Sequence, residues 1–149
     1  MYHDCNVYSN AGGDSVWMFL VESGVIQGCP LSGTLFALAA GPLLRAIHFL
    51  LQPDEVCRAF ADDIAAALAS LAQLAPLCKL FRDYEEVSAL SLGAPKCIII
   101  PLSRSYDGPT RRIIHQYLTD HVPHCANFTI ADSREYLGFH IGPGAADKL

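Results

Sequence analysis

The stretch Val56-Cys57-Arg58-Ala59-Phe60-Ala61-Asp62-Asp63-Ile64-Ala65-Ala66-Ala67-Leu68 sets two short apolar arms around a pair of adjacent aspartates. Arms of this length suit strands and the connection suits a hairpin, although the alanines at 65 to 67 lean toward helix. The apolar setting makes the two carboxylates the chemical question. A buried carboxylate without a partner either costs several kcal/mol or takes up a proton, and a second one beside it adds repulsion. A divalent cation is the obvious counter-ion.

Upstream of the hairpin, Gly24-Val25-Ile26-Gln27-Gly28-Cys29-Pro30-Leu31-Ser32 reads as a turn leading into a helix. From Pro30 onward Leu31, Leu35, Leu38, Leu43, Leu44, Ile47 and Leu51 recur near helical spacing, and Gly41-Pro42 predicts a kink or a brief interruption. Residues 1 to 15 are polar and Gly-rich, and Val16 to Val21 predicts a short strand before Ser23-Gly24. Downstream, Gln52 to Glu55 is a polar turn. A helix is expected from about Ser70 to Leu90, with Leu71, Leu74, Cys78, Phe81 and Tyr84 on one stripe, a capping box at Ser70 and Gln73, and Gly93 at its end. Cys97 to Leu102 is β-rich, Thr110 to Leu118 predicts a short helix, and Phe128 to Ile130 with Tyr136 to Ile141 predict a final strand pair. The mixture is an α+β fold, with a β-hairpin and short strands packed on two main helices.

A chain of 149 residues with 52% hydrophobic residues suits one domain, spanning 1–149, with ample material for a core. A formal charge of -5 argues against strong autonomous binding to a phosphate backbone, because such affinity comes from Lys and Arg displacing counterions. Cys5, Cys29, Cys57, Cys78, Cys97 and Cys125 show no C-x-x-C spacing, and the N-terminus lacks a basic-then-apolar signal pattern, so free intracellular thiols are expected. The apolar run from Leu31 to Leu44 ends at Arg45 and falls short of the roughly 20 residues of a membrane span, which makes a buried helix the expectation.

Four blocks in order carry a family resemblance: GVIQGCPLSGTLFALAAGPLLRAI, AFADDIAAAL, LSLGAPKC and EYLGFHIGPG. Together they resemble the palm of a reverse transcriptase, most closely those of non-LTR (LINE-type) retroelements; Tyr8-Ser9-Asn10 and Phe19-Leu20-Val21-Glu22-Ser23 resemble what precedes the first block, so the likeness covers roughly residues 8 to 144. The resemblance favours the hairpin over the helix at 56 to 68, and it implies a partial palm that works as an RNA-directed DNA polymerase. That reaction is phosphoryl transfer, in which two Mg²⁺ ions held by carboxylates serve the attacking and leaving oxygens. It places the catalytic and metal-binding roles on Asp62 and Asp63. Neighbouring side chains on an extended strand point to opposite faces, so Asp62 is the first choice as ligand.

The same resemblance puts Gln27, Gly28 and Phe60 beside the incoming nucleotide, Lys96 near the pyrophosphate, and Tyr136, Leu137 and Gly138 under the primer end. Each position also has a plainer reading. The aspartates could be a solvated turn, Gly28 and Pro30 an ordinary turn before a helix, Lys96 an exposed strand-edge lysine, and Gly138 a bulge in a core strand. Gly33 stands where relatives often carry Pro, which would loosen the helix start.

The family's centre needs a further aspartate from a strand well upstream of the Gln-Gly block, and neither Asp4 nor Asp14 is expected to substitute for it. The expectation is a palm segment inactive on its own, whose intact parent takes an RNA or DNA template, a primer and deoxynucleoside triphosphates inside the nucleus or cytoplasm. The alternative is a noncatalytic retroelement remnant that serves as an interaction or inert domain. His115, His121, His124 and Cys125 are metal-ligand residue types, but their spacing fits no strong zinc signature and no zinc site is expected. Arg104, Arg111 and Arg112 are expected to solvate a face.

Overall fold

Leu77 and Cys78 are neighbours on one helix, yet each is buried in a different core. That helix, α2 (Leu74–Ser88), is therefore the shared wall of the protein. The computed structural model describes residues 2–24, 28–88, 90–103 and 106–146. Before α2 come β1 (Tyr2–Ala11), β2 (Asp14–Gly24), α1 (Ser32–Leu50), β3 (Val56–Phe60) and β4 (Asp63–Ala67). After it come β5 (Ile98–Ile99), α3 (Gly108–His121), β6 (Thr129–Ile130), β7 (Arg134–Tyr136) and β8 (Phe139–Ile141), with 3-10 turns at Leu71–Gln73, Ala94–Lys96 and Pro123–Cys125. The fold is α+β, as expected: short strands that pair two by two accompany the helices α1 and α2, and a third helix, α3, contains the one expected from Thr110 to Leu118.

On one side of α2, Leu77 packs with Leu43 and Ile47 of α1, and the half-buried Cys57 and Ile64 bring the β3–β4 hairpin onto the same cluster. Helix α1 runs unbroken through Pro42, contrary to the predicted interruption. Proline removes the amide that would bond the Leu38 carbonyl. One residue on, the Tyr84 hydroxyl of α2 donates to the Ala39 carbonyl at 2.5 Å and ties the two helices at that point. By length and composition α1 is long and apolar enough to cross a membrane, with a mean hydropathy of 1.4. It nevertheless buries Ala40, Leu43 and Ile47 against protein while Leu38 (70%) and Phe49 (80%) remain exposed.

On the other side of α2, Cys78 packs with Ile114 and Leu118 of α3 and with Val122 and Cys125 just beyond it. The Asp107 side chain caps α3 by accepting from the Thr110 amide at 2.8 Å, a bond that holds its carboxyl below the usual aspartate range. Pro109 fits the first turn, where an amide would have no intrahelical partner. The Ser70 hydroxyl makes no such cap, so the predicted capping box does not form; a backbone bond from Gln73 to the Ser70 carbonyl closes a 3-10 turn instead. Pro76 falls in the first turn of α2, where its missing amide costs no helical bond.

Two strand expectations are corrected. Tyr2–Ala11, within the stretch whose polar, Gly-rich composition predicts no strand, is a strand that pairs antiparallel with β2 through the Gly12-Gly13 loop, where φ is +69° and +93°. The predicted final pair also rearranges. Thr129–Ile130 pairs parallel with Ile98–Ile99, α3 supplying the crossover that a parallel pair needs, while Arg134–Tyr136 folds back antiparallel on Phe139–Ile141.

The accessible surface is 10526 Å² for a 16.1 kDa chain. Compact monomers of that mass expose about 7,400 Å². Large apolar side chains stay exposed on the β1–β2 hairpin, among them Trp17, Met18 and Phe19, and on α1, where Leu38 and Phe49 do.

Candidate functional site

The β3–β4 hairpin pairs Val56 with Ala67 and Phe60 with Asp63, leaving Ala61 and Asp62 as a two-residue loop at the tip. Cross-strand partners share a face. Cys57, Ala59, Ile64 and Ala66 form the face turned to the α1–α2 core, and Phe60 and Asp63 lie together on the outward one. Phe60 is 65% exposed, and Asp62 and Asp63 are both exposed. This corrects the expectation that the apolar setting buries the aspartates. The arms are apolar because one face packs, and the tip projects beyond the packing. At an exposed tip, desolvation calls for no counter-ion; the two adjacent carboxylates offer hard oxygen donors to solvent.

Ala61 has φ +50°, a left-handed conformation that is unfavourable for a residue with a Cβ. Ala61→Gly is expected to stabilise the fold by about 1 kcal/mol, the relief of that strain less the extra entropy of glycine in the unfolded chain. A higher midpoint in urea unfolding is the expected result; an unchanged or lower one would show that the tip carries no such strain.

The base of the hairpin is held by Glu55, at the end of the polar turn Gln52 to Glu55. Its buried carboxylate accepts from the Gln52 amide through Oε2 and from the Ala69 amide through Oε1, each at 2.9 Å, so one side chain spans the two chain ends that enter and leave the hairpin. Glu55→Ala would leave both amides without acceptors and is expected to cost about 2–4 kcal/mol. Glu55→Gln retains one acceptor and should cost less. Equal urea midpoints for wild type and Glu55→Ala would remove the residue from this role.

Of the other sequence-predicted residues, Tyr136 reaches the hairpin: its hydroxyl donates to the Arg58 carbonyl of β3 at 3.4 Å, a long bond from the last of the four blocks to the residue just before the aspartate block. Leu137 and Gly138 form the β7–β8 loop with φ of +51° and +84°, a turn requiring the left-handed region at both positions, so Gly138 is a hairpin residue and not a bulge. Gly28 lies exposed in the turn before α1, and Lys96 lies exposed at the end of a 3-10 turn before β5, its amide bonded to the Gly93 carbonyl at 2.7 Å. Gln27 and Arg104 lie outside the described residues. The Arg111 guanidinium stands 5.6 Å from the Tyr106 ring centre, an intramolecular contact.

Among the described residues, the three His, Cys, Asp or Glu side chains whose ligand atoms converge are Cys78, His124 and Cys125, and no such trio includes Asp62 or Asp63. His115 and His121 stay on the exposed surface of α3, where the His121 ring packs 4.6 Å from that of Tyr117. Burial pushes the thiols of Cys57, Cys78, Cys97 and Cys125 upward, Cys78 furthest because it also donates a hydrogen bond to Cys125. The sequence marks Cys78 only as part of an apolar stripe and Glu55 only as part of a polar turn, since the Ala69 amide, His124 and Cys125 that meet them are remote in the chain. No family model, curated protein or solved structure matches this chain.

Proposed function

We propose that the chain is the aspartate-bearing part of a reverse-transcriptase palm, an RNA-directed DNA polymerase of the non-LTR retroelement type. The observation that carries this reading is the hairpin itself: the aspartate motif occupies the tip of a tight two-stranded ribbon seated on two helices, with Asp62 in the loop and Asp63 beside Phe60 on the outward face. The Tyr136 tether supports it by docking the primer-grip-like hairpin against β3.

In that reaction the primer 3′-hydroxyl forms a bond to the α-phosphorus of a deoxynucleoside triphosphate, the bond to the bridging oxygen breaks, and pyrophosphate leaves. Bound Mg²⁺ would neutralise charge on the phosphoryl oxygens. Asp62, with Asp63 adjacent, would hold it. Gln27 and Gly28 would line the nucleotide site, Lys96 would supply positive charge to the leaving pyrophosphate, and Tyr136, Leu137 and Gly138 would support the primer. Since no third ligand stands with the aspartates among the described residues, this reading requires a further carboxylate from elsewhere in the polymerase. The exposed apolar surface of β1–β2 and α1 fits a segment that packs on other polymerase elements. The acidic chain should bind nucleic acid weakly alone, and the reading implies a nuclear or cytoplasmic site of action.

The same two facts, exposed aspartates and no third ligand beside them, favour a second reading: a noncatalytic remnant that keeps the palm scaffold as an interaction or inert domain. Primer extension with Mg²⁺ separates the two, comparing the chain with a version joined to its upstream coding sequence. Extension by the joined protein supports the polymerase; no extension by a joined protein shown to be folded supports the remnant. Extension by the chain alone would overturn the requirement for an outside carboxylate.

A further inference from the structure

The side chains of Cys78, His124 and Cys125 bring their ligand atoms within 4.8 Å of one another across two elements far apart in sequence. Cys78 projects from the second turn of α2, and His124 and Cys125 belong to the 3-10 turn that follows α3. Both cysteines are buried, and His124 is exposed, so the trio opens to solvent on its histidine side. The turn is held in place by backbone bonds: the Cys125 amide donates to the Val122 carbonyl at 2.7 Å, and the Phe128 amide donates to the Cys125 carbonyl at 3.0 Å.

A fourth candidate adjoins them. Cys97 directly precedes β5, and β5 pairs with β6, which begins four residues after Cys125, so the fold brings the Cys97 segment alongside the ligand-bearing turn. The Thr129 amide donates to the Cys97 carbonyl at 2.9 Å and keeps that residue's backbone beside β6. Its Sγ makes a long contact of 3.5 Å to the Gly93 carbonyl, a weak bond readily exchanged for a stronger one.

We propose that Cys78, Cys125 and His124, with Cys97 completing the set, form a tetrahedral site for Zn²⁺ that staples α2 to the turn after α3. The metal class follows from the donors: thiolate and imidazole select a soft or borderline ion and disfavour Mg²⁺ and Ca²⁺, and four sulfur and nitrogen ligands are the usual surroundings of structural zinc. The spacing is close to what coordination needs. Two sulfurs bonded to one tetrahedral zinc at about 2.3 Å each lie about 3.8 Å apart, so small side-chain rotations close the trio around an ion. Each thiol that binds gives its proton to solvent. Simple core packing accounts for the two buried cysteines but not for a histidine brought to their open side. The sequence spacing hid the site because one ligand, Cys78, sits on a different helix. The site is independent of the polymerase reading.

The test uses the whole chain, reduced and stripped of metal, titrated with Co²⁺ as a spectroscopic probe and then with Zn²⁺. The expected result is a thiolate-to-cobalt charge-transfer band with the strong ligand-field bands of a tetrahedral centre, saturating at one ion per chain and bleached by Zn²⁺. Zinc should also raise Tm. His124→Ala changes an exposed side chain and leaves the core intact; it should weaken Co²⁺ binding on the order of tenfold or more, since loss of even an outer partner of a ligand costs that much. Cys97→Ser should weaken the ligand-field bands, and Cys57→Ser, in the other core, should change nothing. No charge-transfer band, or one untouched by both His124→Ala and Cys97→Ser, overturns the site. Retention of Cu(I) without Co²⁺ or Zn²⁺ overturns the assignment to zinc.

Discussion

Asp62→Ala is expected, on the proposed polymerase reading, to lower primer extension by the joined protein by about 10²–10³-fold or more while moving the urea midpoint little. The two halves of this expectation rest on different features. The loss follows from chemistry, since a group that neutralises charge developing on the reacting phosphoryl is worth at least as much as a single oxyanion donor. The unchanged stability follows from position: Asp62 is exposed in a two-residue loop, where substitutions usually stay within about 0.5 kcal/mol. Asp63→Ala is the informative comparison. Asp63 starts β4 opposite Phe60 on the outward face, whereas Asp62 belongs to the tip, and a smaller loss at Asp63 would make Asp62 the principal ligand. Equal losses would show that the loop turns both carboxylates to one metal pair. Full activity in a folded Asp62→Ala protein would reject the metal role.

How far such expectations reach from sequence depends on whether the determining contact is local. The hairpin at Val56 to Ala67 was legible because both arms and the loop lie within one short stretch, and α1 because its apolar spacing persists across Pro42. β1 was missed although Gly12-Gly13 is a hairpin signal, because residues 2 to 11 lack the apolar alternation that marks a half-buried strand. The pairing of Ile98–Ile99 with Thr129–Ile130 spans the whole of α3 and leaves no local trace. The exposure of the aspartates was illegible for a related reason. Apolar neighbours predict that some face of a strand is buried, but they do not say how far the ribbon projects past what buries it.

Glu55 and Cys78 show the same limit from the side of function. Glu55 receives the Ala69 amide from beyond β4, and Cys78 meets a turn beyond α3. Both lie on elements whose own pattern was read well enough, as a turn and as an apolar stripe. Their roles come from what the fold sets opposite them. The shared wall α2 adds a physical consequence: Leu77 and Cys78 couple two cores that otherwise have separate helices, so a disturbance at the Cys78 side can reach the aspartate hairpin through one helix.

Gly142→Ala is expected to be strongly destabilising, at roughly 3–5 kcal/mol, the sum of backbone strain and overpacking. Gly142 has φ +126°, a conformation open almost exclusively to glycine. A Cβ there would fall on the Asp132 carbonyl oxygen and lie 2.9 Å from both Ile100 Cγ2 and Ser133 Cα. Two of those three obstacles are backbone atoms, which cannot swing aside. Nor can the loop slide away easily, because the Gly144 amide donates to the same Asp132 carbonyl at 3.2 Å and the Ala145 amide donates to the Gly142 carbonyl at 3.0 Å. Gly144 is the internal control: a Cβ there would meet the Asp132 carboxylate oxygen at 2.5 Å, a side chain that can rotate, so Gly144→Ala should cost only about 1 kcal/mol. Urea unfolding of the two variants reads the difference directly. Because Gly142 locks the end of β8 against Ser133 at the start of β7, its substitution should also release the Tyr136 bond to Arg58, visible as faster amide exchange in β7 and β8. Comparable midpoints for Gly142→Ala and Gly144→Ala would show that the loop relaxes freely and that the tight Gly-Pro-Gly segment does not hold the hairpin against β3.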